Sequence, residues 1–121
     1  MPRDLLTTRV ERLPGDVAVL SVEGEIDLAT ATILDAAVAE ATATGSHALI
    51  VDLSGVGFMG SAGLRILAET NDKIAPSAFA VVADRAATRR PIQVTGLTDV
   101  FAMYDSLADA LAAVRPDPGD S

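Results

Sequence analysis

The stretch Ala48-Leu49-Ile50-Val51-Asp52-Leu53-Ser54-Gly55-Val56-Gly57-Phe58-Met59-Gly60-Ser61-Ala62-Gly63-Leu64-Arg65-Ile66-Leu67 changes its period halfway along. Ala48 to Leu53 is an apolar run of β type. It breaks at Ser54-Gly55, and apolar residues return at Val56, Phe58 and Met59. Beyond Gly60-Ser61-Ala62-Gly63, the residues Leu64, Leu67, Ala68, Asn71 and Ile74 recur at helical spacing. The stretch reads as strand, loop, helix, with Ser61 at the helix mouth.

Composition narrows what such a turn can do. A chain of 121 residues is the size of one domain with a proper core. Half of the residues are hydrophobic but only 3% are aromatic, so the core must be aliphatic. The formal charge of -8 repels phosphate backbones and anionic membranes, so neither nucleic acid nor a membrane is an expected partner. The absence of cysteine excludes disulfides, a thiolate nucleophile and a thiol switch. His47 is the only histidine, which excludes the usual poly-histidine metal sites; neither a metal nor a cofactor is expected. The N-terminus carries no apolar h-region and no stretch approaches 18 apolar residues, so a soluble cytoplasmic protein is expected.

Outward from the opening stretch, the chain alternates. Leu5 to Leu13 and Val17 to Glu23 are rich in strand formers and flank the turn Pro14-Gly15-Asp16, which predicts an antiparallel hairpin. Gly24-Glu25-Ile26-Asp27 ends the second strand. A helix is predicted from about Leu28 to Thr44, with Ile33, Leu34, Ala37, Val38 and Ala41 on its apolar face, Asp27 or Thr30 as N-cap and Gly45 at its C-terminal end. A strand from His47 to Leu53 leads to a helix from Ser61 to about Ala75, stopped by Pro76. Ala78 to Val82 is a short buried strand. A weaker helix runs from about Ala87 to Thr95, with Pro91 placed in its first turn and Gly96 ending it. Val100 to Tyr104 is a last strand, and Asp105-Ser106 caps a final helix with a Leu107, Ala110, Leu111, Val114 stripe. Residues 115–121 read as a flexible tail.

The order ββαβαβαβα implies a single α/β domain, residues 1–114, with a mixed, mostly parallel sheet, an N-terminal β-hairpin and helices packed against it. Parallel strands send the loops after their C-terminal ends to one rim. Gly24 to Asp27, Ser54 to Ser61 and Ala83 to Arg85 are expected there, where open α/β sheets place their sites.

Ser61 has several readings. Serine is a preferred helix N-cap, and a purely structural role is the plainest. A nucleophilic serine fails twice: Met59 stands where a Gly-x-Ser-x-Gly elbow needs glycine, and His47 lies at the far end of the strand. Six residues at about 3.3 Å each put roughly 20 Å between them, against about 3 Å for proton transfer. A phosphate-binding loop lacks its Gly-x-x-x-x-Gly-Lys-Ser/Thr, a Gly-x-Gly-x-x-Gly is not expected either, and no lysine lies near the turn, so nucleotide binding is not expected. A covalent switch remains open: a phosphate at an exposed helix mouth suits the free N–H groups there but adds charge to a rim holding Glu25, Asp27 and Asp84. Ser54 reads as a strand-end cap. No catalytic constellation is present, and an enzyme is not expected.

Asp52-Leu53-Ser54-Gly55-Val56-Gly57-Phe58-Met59-Gly60-Ser61-Ala62-Gly63-Leu64 resembles the signature of the bacterial anti-sigma factor antagonists, members of the STAS domain family. Gly24-Glu25-Ile26-Asp27, followed by an Ala/Thr-rich helix start, resembles that family's second motif. The resemblance spans about Leu5 to Val114. It implies an anti-anti-sigma factor that binds an anti-sigma factor, often a serine kinase of the histidine-kinase-like ATPase type, and so frees a sigma factor for transcription. It implies phosphorylation of Ser61 by that kinase, reversal by a phosphatase, and partner contacts from Asp27, Gly60, Ser61, Ala62, Gly63 and Leu64, in a monomer or weak dimer. Asp27 remains equally readable as a plain helix cap. Gly60 stands where the family usually has Asp, and Ala62 where it often has Ser or Thr. The second departure leaves Ser61 as the only hydroxyl of the turn; the first removes a carboxylate beside the acceptor. The alternative is an accessory STAS domain of a transport or signalling complex, with no phosphoswitch.

Overall fold

The computed structural model describes residues 6–115. The expected tail from 116 onward, and Leu5 of the first strand, lie outside them. Leu6–Leu13 (β1) and Val17–Ile26 (β2) form the antiparallel hairpin, Leu13 opposite Val17. Asp16, in the turn, accepts the His47 amide through its backbone carbonyl at 2.9 Å and its carboxylate at 3.1 Å, which fixes where the third strand starts. The rest follows as Ala31–Thr42 (α1), Ala48–Met59 (β3), Ser61–Ile74 (α2), Ala78–Val82 (β4), Ala86–Val94 (α3), a 3-10 turn at Leu97–Asp99, Ala102–Tyr104 (β5) and Leu107–Val114 (α4).

The strands lie side by side in the order of the chain, β1-β2-β3-β4-β5, with β1 antiparallel and the other neighbours parallel. Strands added in one direction by right-handed crossovers put every crossover helix on one face. Period-two alternation supplies that face: Ala18, Leu20, Val22, Leu49, Val51, Leu53, Phe79 and Val81 form one core with residues of α1, α2 and α3. Val17, Val19, Ala48, Ile50, Ala80 and Val82 form the opposite core with Ala110 and Val114 of α4. Because the strand order never reverses, the sheet has no switch-point crevice of the kind that holds cofactors in doubly wound folds.

Several expectations shift. α1 is shorter than predicted, since Asp27 to Thr30 form a turn, and Ile33 is exposed while Leu34, Ala37, Val38 and Ala41 are buried. The buried face of α2 is Gly63, Ile66, Leu67 and Thr70, with Leu64, Ala68, Asn71 and Ile74 on its flanks. The Thr70 hydroxyl is satisfied by the Ile66 carbonyl at 2.7 Å. Pro91 sits in the second turn of α3, not the first; it cannot donate, so Ala87 loses the helical partner of its carbonyl. The last strand shortens to Ala102–Tyr104 because Leu97–Asp99 winds a 3-10 turn ahead of it. Ser106 caps α4 as expected, accepting the Asp109 amide at 3.1 Å.

Candidate functional site

The ladder between β2 and β3 does not stop where the apolar run does. It continues through Glu23 with Gly55, Gly24 with Val56, Glu25 with Phe58 and Ile26 with Met59. The segment from Ser54 to Met59, expected as loop, is therefore strand, and β2 runs on to Ile26. Register shifts at Ser21/Glu23 and Gly24/Glu25 carry the pairing through, the second helped by Gly24, whose φ of 120° suits only glycine. β4 pairs with β3 only from Ala48 to Asp52. Two strands thus outrun the sheet, and Ser61 sits at their end.

Contrary to the expectation from the turn, Gly55-Val56-Gly57-Phe58-Met59-Gly60 has the Gly-x-Gly-x-x-Gly spacing of a dinucleotide fingerprint. That motif needs a loop after the strand, opening a helix. Here Gly55 and Gly57 both lie inside β3, Gly55 paired with Glu23 and Gly57 the unpaired residue at the second register shift, so the fingerprint's loop after the strand is not formed.

The turn into α2 is held from below. The Gly60 amide donates to the Ile26 carbonyl at 2.8 Å, and the Gly60 carbonyl accepts the amides of Gly63 and Leu64 at 3.1 and 3.3 Å. Gly63 is buried: a Cβ there would lie 2.5 Å from Ile26 Cγ2 and 3.0 Å from Met59 Cγ, so only glycine lets the first turn of α2 seat on the end of β2. Ala62 and Leu64 are half-buried and pack on the same core.

This geometry removes one reading of Ser61, that of helix cap. The N-cap is Gly60, in extended conformation, and no side chain caps the helix. Ser61 is the first helical residue and is exposed, so its hydroxyl is not committed to a capping role. Ser54 contrasts with it: its amide and hydroxyl both donate to Asp52 Oδ1, at 3.0 and 2.7 Å. His47 opens the far end of a twelve-residue strand, roughly 40 Å from the turn at about 3.3 Å per residue, farther than the sequence suggests.

Asp27 is brought to the same rim, because Ile26 is the residue that binds Gly60. It is not the N-cap of α1; that is Thr30. Asp27 and Thr30 lock the preceding turn reciprocally: the Asp27 amide donates to Thr30 Oγ1 and the Thr30 amide to Asp27 Oδ1, each at 3.0 Å. Thr30 Oγ1 also donates to the Glu25 carbonyl at 2.8 Å. Ala83 to Arg85 are not joined to this turn by any strand pairing. They follow β4, which ends opposite Asp52, and Ala83 is buried with its amide on the Tyr104 carbonyl. Asp84 therefore belongs to a lower step of the rim than Glu25 and Asp27.

Two residues of the site escape a sequence reading. Leu28 is 82% exposed and Phe58 is 51% exposed, among the few large apolar side chains the fold leaves in water. Phe58 lies beside the turn, its ring edge 3.5 Å from where a Gly60 Cβ would stand. Leu28 follows Asp27 directly. The sequence places Leu28 in a helix and Phe58 in a loop, so neither could be assigned a face. The rim is thus a small-residue turn with a free hydroxyl, flanked by apolar side chains and by the carboxylates of Glu25 and Asp27. A cavity of about 220 Å³ lies away from it, between the C-terminal ends of α1 and α2, lined by residues such as Thr42, Leu49, Lys73 and Ser77. Among the described residues no helix is long and apolar enough to cross a membrane.

The sheet order β1-β2-β3-β4-β5, with the Ser61 turn at the tip of β3, is the arrangement to set beside known proteins. The chain belongs to the STAS domain family, whose family model matches residues 8–110. It is 52% identical over 100 residues to the anti-sigma-F factor antagonist RsfB of Mycobacterium tuberculosis, an alignment covering 82% of each chain. It superposes with a TM-score of 0.88 on the crystal structure of an anti-sigma factor antagonist from Mycobacterium paratuberculosis, 50% identical, covering 92% of this chain and 95% of that one. The Bacillus cell fate determinant SpoIIAA in its phosphorylated form is 17% identical, with a TM-score of 0.68 over 90% of this chain and all of that one; this likeness is one of fold.

Proposed function

We propose that this chain is an anti-sigma factor antagonist, that the Ser61 rim is the surface that docks the anti-sigma factor, and that phosphorylation of Ser61 breaks the complex. The observation that carries the reading is the exposed, uncommitted hydroxyl of Ser61 at the start of α2, next to the exposed Phe58. The half-identical antagonist from M. tuberculosis supports the partner class. The resemblance to the antagonists adds a serine kinase of the histidine-kinase-like ATPase type as the anti-sigma factor and a phosphatase that resets the switch.

The switch follows from local electrostatics. In the neutral state a partner packs on Leu28, Phe58, Ala62 and Leu64 and reaches Asp27 and the Ser61 hydroxyl. A phosphate adds nearly two negative charges beside Glu25 and Asp27 and displaces that packing. The domain itself accommodates the charge. The amides of Ser61 and Ala62 are not used by the cap bonds, and a helix N-terminus favours an anion. Arg65, exposed and one turn along the helix, supplies an opposite charge at i+4. The fold need not move for binding to be lost.

The test is the affinity of candidate anti-sigma factors for the wild type and for Ser61→Glu. Binding of the variant is expected to fall by about a hundredfold or more, a loss of roughly 3 kcal/mol. Its melting temperature should hold or rise slightly, since the introduced carboxylate would gain the helix N-terminus and Arg65. Undiminished binding by Ser61→Glu would refute the switch while leaving the docking role standing. A second reading, an accessory STAS domain without a phosphoswitch, is favoured by Gly60, where the usual carboxylate is missing. It would gain if the chain recovered a transporter ATPase and no anti-sigma factor.

A further inference from the structure

β1 is the outer strand of the sheet. It pairs with β2 on one side, and among the described residues no strand pairs its other edge. An open edge of eight residues presents unpaired backbone N–H and C=O groups, and proteins usually blunt such an edge with charge. β1 carries charge of both signs, in a fixed order: Arg9, Glu11 and Arg12. Thr7, Arg9, Glu11 and Leu13 stand opposite Glu23, Ser21, Val19 and Val17, so they share the sheet face of the α4 core. Thr8, Val10 and Arg12 point to the α1 side, where Val10 packs on the main core. Arg9 and Glu11 are exposed.

We propose that a second copy of this chain pairs with this edge, antiparallel, about a two-fold axis through Val10. A two-fold axis perpendicular to the sheet keeps the faces of the two copies aligned, so the register must be centred on a residue. Centred on Val10, Arg9 of each copy stands opposite Glu11 of the other, and the two pairs lie side by side on one face. Thr8 then meets Arg12, Thr7 meets Leu13, and Val10 meets its own equivalent. Moving the centre one residue either way puts Arg9 opposite Arg9 or Glu11 opposite Glu11. Like charges directly opposite destabilise a ladder, whereas opposite charges support it. Of these three registers the charge order therefore favours the one centred on Val10. The product is a continuous sheet through both copies. Because the pairing is antiparallel, the two Ser61 rims point to opposite ends of the dimer, and each stays open. The proposal does not depend on the function assigned to that rim.

The test is sedimentation equilibrium of the full chain across the micromolar range, for the wild type, Arg9→Glu, Glu11→Arg and the double variant. The wild type should associate reversibly to a dimer. Each single variant places like charges opposite one another and should weaken association by about tenfold or more. The double variant exchanges the signs, restores the alternation and should return toward wild-type association. Both side chains are exposed, so thermal melts of all four proteins should agree at concentrations below the dimer range. A wild type that stays monomeric, single variants that associate as the wild type does, or a double variant no better than the singles would each overturn the proposal.

Discussion

The carboxyl rim of the sheet has two halves that end in opposite ways. On the β2–β3 side the strands outrun their neighbours and leave Ser61, Leu28 and Phe58 exposed to water. On the β4–β5 side the strands stop short and the polar groups bind one another. Arg89 donates to the Ala83 carbonyl at 2.8 Å and forms an ion pair with Asp105, while the Thr88 hydroxyl donates to the Arg85 carbonyl at 3.2 Å. Both halves follow parallel strands and lead into helices, yet one is tied down and the other is presented. A rim position alone does not make a site; what marks one is the set of donors and apolar surfaces that the fold leaves unpaired.

That contrast can be broken first at Gly63. Gly63→Val would force side-chain atoms into Ile26 and Met59 and lift the first turn of α2 from the end of β2. A loss of about 1–3 kcal/mol is expected, with Tm lowered by about 5 °C or more and partner binding impaired along with it; thermal melts and titrations on the same samples would show both. Phe58→Ala separates binding from folding. Its ring is half in water, so stability should change by less than about 1 kcal/mol while affinity for the anti-sigma factor falls by about tenfold or more. Calorimetric titration that found unchanged affinity would remove Phe58 from the docking surface. Arg89→Ala tests the tied half. Loss of an exposed ion pair and one backbone contact should cost about 0.5–1 kcal/mol in denaturant unfolding and leave partner affinity unaltered.

Much of the architecture is written in short-range periodicity. Ala78 to Val82 is bounded in the structure as the letters suggest, Ser106 caps its helix, and the hairpin closes over Pro14 to Asp16, because each depends on neighbours in the chain. The extended ladder beyond Leu53 depends on two register shifts. These set buried Val56 and Met59 three residues apart, so the alternation that marks a strand is lost at the site itself. Ile33 and Leu28 show a similar gap: the helical pattern of letters reaches into residues that a turn, locked by Asp27 and Thr30, keeps out of the helix or off its buried face. Ser61 is legible as an exposed hydroxyl at a helix mouth. That Gly60, one residue earlier, is the cap emerges only from the pull of the Ile26 carbonyl on the Gly60 amide.

The central claim is that this rim binds its partner while Ser61 is neutral and releases it when charged. The most direct measurement is calorimetric titration of the anti-sigma factor with two forms of the full chain, one unmodified and one carrying phosphoserine installed at position 61 during synthesis. The account predicts a well-defined binding isotherm for the first, none for the second, and the same melting curve for both to within a few degrees. Equal affinity of the two forms would contradict it.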